Sequence, residues 1–162
     1  MTKIICFLLV IFCVARGMAQ TTYEVPLVTE KDYSNAEKKV IEAATFLLST
    51  KFDNDNLERL YATEFVMKWM AGTPHFTFQL NEQIARSFAE EPELMNLYMA
   101  AMAKYALENK NKAADTGEIN LQAAKALIEY TARTANNLRQ TGELKKMAAA
   151  MKKGELRKFM GI

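Results

Sequence analysis

Apolar residues recur every three to four positions along most of the chain, and the places where that period fails mark the connections. Ala36, Val40, Ala43, Ala44 and Leu47, flanked by Ile41 and Leu48, form the first stripe and predict a helix to about Thr50. Ser34-Asn35-Ala36-Glu37 fits a capping box, in which hydroxyl and carboxylate each satisfy a free backbone N–H, so Ser34 is the expected start. Gln20 to Asp32 carries β-branched residues and Pro26 without a helical period, and residues 20–33 read as an extended arm. Asp53-Asn54-Asp55 predicts a turn that also supplies the cap of a second helix, running from Leu57 to Ala71. Its core face is expected to hold Tyr61, Phe65 and Trp69, with Leu57, Leu60 and Met67 beside them.

Gly72 and Pro74 stop that helix, and His75 to Leu80 alternates polar and apolar residues as a short extended piece does. Asn81 can cap a short helix carrying Ile84, Ala85 and Phe88. Pro92 suits a first helical position, ahead of Leu94, Leu97, Tyr98, Ala101, Met102 and Tyr105. After a polar linker, Lys110 to Gly117, an alanine-rich helix is expected from about Glu118 to Arg139. Glu143 to Lys153 begins another, Gly154 interrupts it, and Glu155 to Met160 adds a last turn. The sum is an all-α fold of six or seven antiparallel helices in one domain, residues 34–162. It is either an irregular bundle or a helical-hairpin stack of the tetratricopeptide kind, although the 34-residue repeat of that class is absent. With 6 glycines and 3 prolines in 162 residues, an all-β alternative lacks its turns.

The N-terminal 19 residues follow a different logic. Lys3 precedes twelve apolar residues, Ile4 to Ala15, and Gly17 and Ala19 put small residues at the −3 and −1 positions before Gln20. That is the three-part secretory signal, which predicts export to the periplasm or outside the cell after cleavage near Ala19-Gln20. Cys13 follows Phe12, a context that disfavours lipid attachment. No transmembrane segment is expected once the signal is gone.

Removing residues 1–19 changes the chemistry that remains. Cys6 and Cys13 both go, leaving no disulfide, no thiol nucleophile and no thiolate metal site. Lys3 and Arg16 also go, so the formal charge falls from +2 to a balance of 19 bases and 19 acids. Neutral charge and export together argue against nucleic-acid binding. The charge is unevenly distributed. Residues 133–162 hold eight bases and two acids, and residues 20–132 hold eleven bases and seventeen acids. Within 143–162, Leu144, Met147 and Met151 fall on one side of a helix and Lys145, Lys146, Lys152 and Lys153 on the other. With Arg157 and Lys158 they form a candidate surface for a protein or an anionic envelope component. The alternative is a terminal helix that closes the bundle with its apolar side and solvates its lysines.

Other chemistry is sparse. His75 is the single histidine, and with Thr73 and Thr77 it makes a candidate loop site. Catalysis there needs a nucleophile and a carboxylate supplied by the fold. Phe76 and Phe78 in the same loop are expected to wedge into the core. No zinc or calcium motif occurs, Glu90-Glu91-Glu93 suits a helix N-terminus, and the methionines recur at core spacing, so no metal or cofactor is expected.

Trp69-Met70-Ala71-Gly72-Thr73-Pro74 and Tyr98-Met99-Ala100-Ala101-Met102-Ala103-Lys104-Tyr105, with a leader ending Ala19-Gln20, resemble segments of uncharacterised exported proteins of Bacteroidota. The resemblance implies an exported all-helical chain and no activity. The residues lead first to a non-catalytic exported domain that binds a protein or envelope component. A carrier with a cavity lined by methionine and aromatic residues stands second, and an enzyme using His75 third.

Overall fold

The structure, a computed structural model, describes residues 23–162. The secretory-signal reading and residues 20–22 of the arm lie outside the described residues. Seven α-helices are present among the described residues: α1 Glu30–Ser49, α2 Leu57–Gly72, α3 Glu82–Ser87, α4 Pro92–Glu108, α5 Thr116–Ala132, α6 Gly142–Lys152 and α7 Leu156–Met160. Short 3-10 turns follow α4 and α5.

α1 begins one turn before the expected Ser34 cap. Thr29 is the cap: its hydroxyl accepts from Asp32 N, and the Asp32 carboxylate accepts from Thr29 N at 2.8 Å. Asp32 does here what Glu37 was expected to do. Ser34 lies inside the helix and donates to the Glu30 carbonyl at 3.2 Å, while Glu37 pairs with Lys110. The arm is therefore shorter than 20–33. Its described part packs on the body, with Leu27 buried and the Tyr23 ring 5.6 Å from that of Phe65. The core face of α1 is the one its period indicates: Ala36, Val40, Ala43, Ala44 and Leu47.

The cap of α2 is Asn56, whose side chain accepts from Arg59 N; Asp53 instead closes the preceding turn by accepting from Asp55 N. The buried face of α2 differs from the expected one. It comprises Arg59, Ala62, Phe65, Val66, Trp69 and Met70, and it leaves Leu57, Leu60 and Tyr61 in solvent. α2 is apolar on two sides, so its period alone admits either face.

Hydrogen bonds between helix ends fix the directions. Trp69 Nε1 near the end of α2 donates to the Tyr33 carbonyl near the start of α1, and Arg59 near the start of α2 donates to Leu47 near the end of α1. The two helices are antiparallel. Lys110, just past α4, meets Glu37 early in α1, so α4 also runs against α1. Tyr130 and Arg133 at the end of α5 bond to Thr50 and Leu48 at the end of α1, so α5 runs with α1 and against α4. α1 packs on both α2 and α4, and α4 on both α1 and α5. The long helices pack together as an all-α bundle. Buried alanines at positions 100, 101, 103, 106, 123 and 124 allow the central helices to approach closely. Trp69 and Tyr98 are wholly buried.

α5 stops at Ala132, well before the expected Arg139. Asn136 Nδ2 donates to the Tyr130 carbonyl at 2.7 Å, and Asn137 takes the left-handed conformation at φ 54° that glycine often supplies past a helix. The end of α1 is closed from elsewhere in the chain. Arg59 Nη1 donates to the Leu47 and Thr50 carbonyls and the Thr50 hydroxyl, at 3.1, 3.3 and 2.7 Å. Arg133 donates to the Leu48 carbonyl at 2.8 Å, and Tyr130 to that of Thr50 at 2.8 Å.

Within residues 143–162 the expected interruption at Gly154 separates two helices. Gly154 turns the chain at φ 74°, and α7 folds back so that Leu156 and Met160 join Leu144 and Met147 in the core. Asn81 Nδ2 holds the Met160 carbonyl at 2.8 Å. No helix among the described residues is long and apolar enough to cross a membrane.

Candidate functional site

The loop after α2 is built around aromatic rings. Phe76 and Phe78 lie 5.6 and 6.1 Å from Trp69, and their own rings stack at 6.2 Å. The wedge expected of this loop is present. Packing these rings inward leaves His75 and Thr77, which alternate with them, facing solvent.

His75 does not meet Thr73 or Thr77 through a hydrogen bond. Its Nε2 lies 3.3 Å from Ser34 Oγ and 3.4 Å from Glu30 Oε1, both on the first turns of α1. A hydroxyl, an imidazole and a carboxylate thus come together, a grouping invisible in the sequence because 41 residues separate His75 from Ser34. The geometry is not that of a proton relay. A relay takes the nucleophile on one ring nitrogen and the orienting carboxylate on the other, whereas both groups here share Nε2. Asp32 and Thr29 already engage N–H groups at this end of α1, and the carboxylate of Glu30 is mostly in solvent. The grouping clasps the loop to α1. Thr73 Oγ1 is buried without a hydrogen-bond partner, the single such side-chain atom among the described residues.

The residues expected to line a methionine and aromatic cavity are packed. Trp69, Tyr98, Met102 and Met147 are reached by essentially no solvent, and Met67, Met95 and Met99 lie half-buried against the same core. Among the described residues no group of three or more His, Asp or Glu side chains is placed to hold a metal ion.

The basic surface is the clearest of the candidates named from the sequence. α6 and α7 dock through Leu144, Met147, Leu156 and Met160, and Lys145, Lys146, Lys152, Lys153, Arg157 and Lys158 all stay exposed. Arg157 pairs with Glu118, and Lys146 with Glu143 at 2.6 Å. Lys145, Lys152, Lys153 and Lys158 have no acidic partner among the described residues.

A second surface was not named from the sequence. Leu57, Leu60 and Tyr61 are 63, 49 and 53 % exposed, and at i, i+3 and i+4 they share the outer face of α2. Beside them opens a cleft of about 170 Å³ between the α1–α2 connection and the start of α4. Leu47 and Leu97 lie at its base, and Phe52, Asn54, Arg59, Leu60, Thr63, Glu93 and Asn96 also line it. Arg59 is 5 % exposed, and its guanidinium lies 5.5 Å from the centre of the Phe52 ring. The sequence did carry a clue to this surface: α2 has more apolar residues than one buried face can hold.

Neither the protein-family models, the curated proteins nor the solved structures contain a match to this chain.

Proposed function

We propose that the chain is exported, is cleaved near Ala19-Gln20, and works as a non-catalytic helical domain that binds an anionic envelope surface. Lys145, Lys146, Lys152, Lys153, Arg157 and Lys158 make the contact. The observation that carries this reading is the group of exposed lysines on α6 and α7 that have no acidic partner among the described residues. Their apolar sides close the bundle, as the alternative reading expected, which holds the basic side in fixed geometry with four of its lysines unpaired among the described residues. Each lysine near an anionic membrane contributes on the order of 1 kcal/mol, so four to six together give salt-sensitive association. The secretory pattern at residues 1–19 supports export. The shared-nitrogen geometry at His75 supports the absence of catalysis.

Co-sedimentation with vesicles tests the reading. The protein should bind vesicles containing phosphatidylglycerol and ignore pure phosphatidylcholine, and binding should weaken as salt rises. Changing Lys145, Lys152, Lys153 and Lys158 to Glu should abolish binding without moving the melting temperature. Equal binding by this variant, or no binding even at low salt, rejects the proposal.

A further inference from the structure

We propose that the outer face of α2, together with the adjoining cleft, docks a basic peptide segment bearing apolar side chains. Three observations converge on that partner. The first is the surplus of apolar residues. α2 already completes the core through Phe65, Val66 and Trp69, and Leu57, Leu60 and Tyr61 lie outside it with about half or more of each side chain in water. Three large apolar side chains grouped on one turn of a solvent face mark an interaction surface, where single ones would not.

The second is charge. Residues 53–64 hold Asp53, Asp55, Glu58 and Glu64 against one base, Arg59, and Arg59 is buried and bonded to the end of α1. Glu93 adds a further carboxylate at the cleft. An apolar patch set among carboxylates favours a basic partner and repels an acidic one. It also disfavours a second copy of this chain presenting the same face, and an anionic membrane.

The third is the cleft. Asn54, Thr63 and Asn96 line it, and their side chains make no hydrogen bond among the described residues, so their amide and hydroxyl groups can pair with a peptide backbone. At about 170 Å³ the cleft is below the size of a site for a drug-sized molecule and suits one residue of an extended segment.

The test uses a short synthetic lysine–leucine peptide, with glutamate–leucine and lysine–serine peptides as controls, and the amide NMR shifts of the whole chain as readout. The lysine–leucine peptide should bind saturably and shift residues 53–64 and 93–96. Both controls should bind at least tenfold more weakly. The triple variant Leu57→Ser, Leu60→Ser, Tyr61→Ser should keep the melting temperature and lose the peptide. Four results overturn the proposal: shifts spread over acidic residues throughout the chain, equal binding of either control, unchanged binding by the triple variant, or self-association through this face without peptide binding.

Discussion

The hydroxyl of Tyr33 occupies the place of the side chain that Gly72 lacks: a Cβ built on Gly72 would stand 2.0 Å from it and 2.6 Å from the ring carbon that bears it. The glycine that stops α2 therefore also seats the first turn of α1. Tyr33 is tied at both ends, since its hydroxyl donates to the Leu27 carbonyl at 3.3 Å and its own carbonyl accepts from Trp69 Nε1 at 3.0 Å.

Gly72→Ala should therefore destabilise the protein, although alanine is the better helix former by about 1 kcal/mol. Displacing a tethered ring costs roughly 1–3 kcal/mol, and the net loss should appear in urea unfolding. In a Tyr33→Ala background the same substitution should cost little. A double-mutant cycle that is additive would show that the two positions do not meet.

Arg59 is buried with no ion-pair partner among the described residues, and the carbonyl end of α1 faces its charge. Arg59→Met keeps much of the side-chain volume and removes the donors. It should lower stability by about 2 kcal/mol or more, because the Leu47 and Thr50 carbonyls lose a charged partner. Added salt should not reproduce this loss, as it would for an exposed ion pair. A melting temperature unchanged by the substitution would show that solvent satisfies those carbonyls.

Three tyrosines predict weakness in alkali. Burial raises the Tyr98 phenol well above the ordinary 10.0 and raises Tyr130 as well. Burial, with help from Glu58 and Glu42, pushes Tyr23 up to about 12. The folded state holds these protons more tightly than the unfolded chain, so the stabilisation is complete below pH 10 and is lost as pH rises toward the folded values. Urea unfolding at about pH 9 and about pH 11 should show the drop, and Tyr98→Phe should make it smaller. An equal drop in that variant would remove Tyr98 from the explanation.

Deleting residues 143–162 strips Leu144, Met147, Leu156 and Met160 from the core. Each fully buried side chain is worth roughly 1.5–3 kcal/mol, so the truncated chain should melt far lower or aggregate. Retention of the full-length melting temperature would mean that α6 and α7 do not dock in solution.

How much of this was legible in the sequence varied with the redundancy of each segment. α1 has a single apolar stripe, so its buried face could be read residue by residue. Asn81 and Pro92 sit at the helix starts their chemistry indicates. α2 could not be read this way, because Leu57, Leu60 and Tyr61 compete with Ala62, Val66 and Met70 for the core and only the packing of α1 decides. The end of α5 was hidden because Asn137, not glycine, adopts the left-handed turn. The basic surface was visible as a run of lysines. The meeting of His75 with Glu30 and Ser34 was not, since local periodicity carries no information about a contact across 41 residues.

The closure of α1 has a kinetic side. No lysine or arginine stands in its own last turn, and the donors that finish it come from Arg59, Tyr130 and Arg133. Two of those bonds span 80 and 85 residues of chain. The end of α1 is therefore closed in part by α2, through Arg59, and is completed only when α5 arrives. A chain that ends before α5 should leave the Leu48 carbonyl without its Arg133 partner, and the last turn of α1 should then exchange its amide protons faster than in the whole chain.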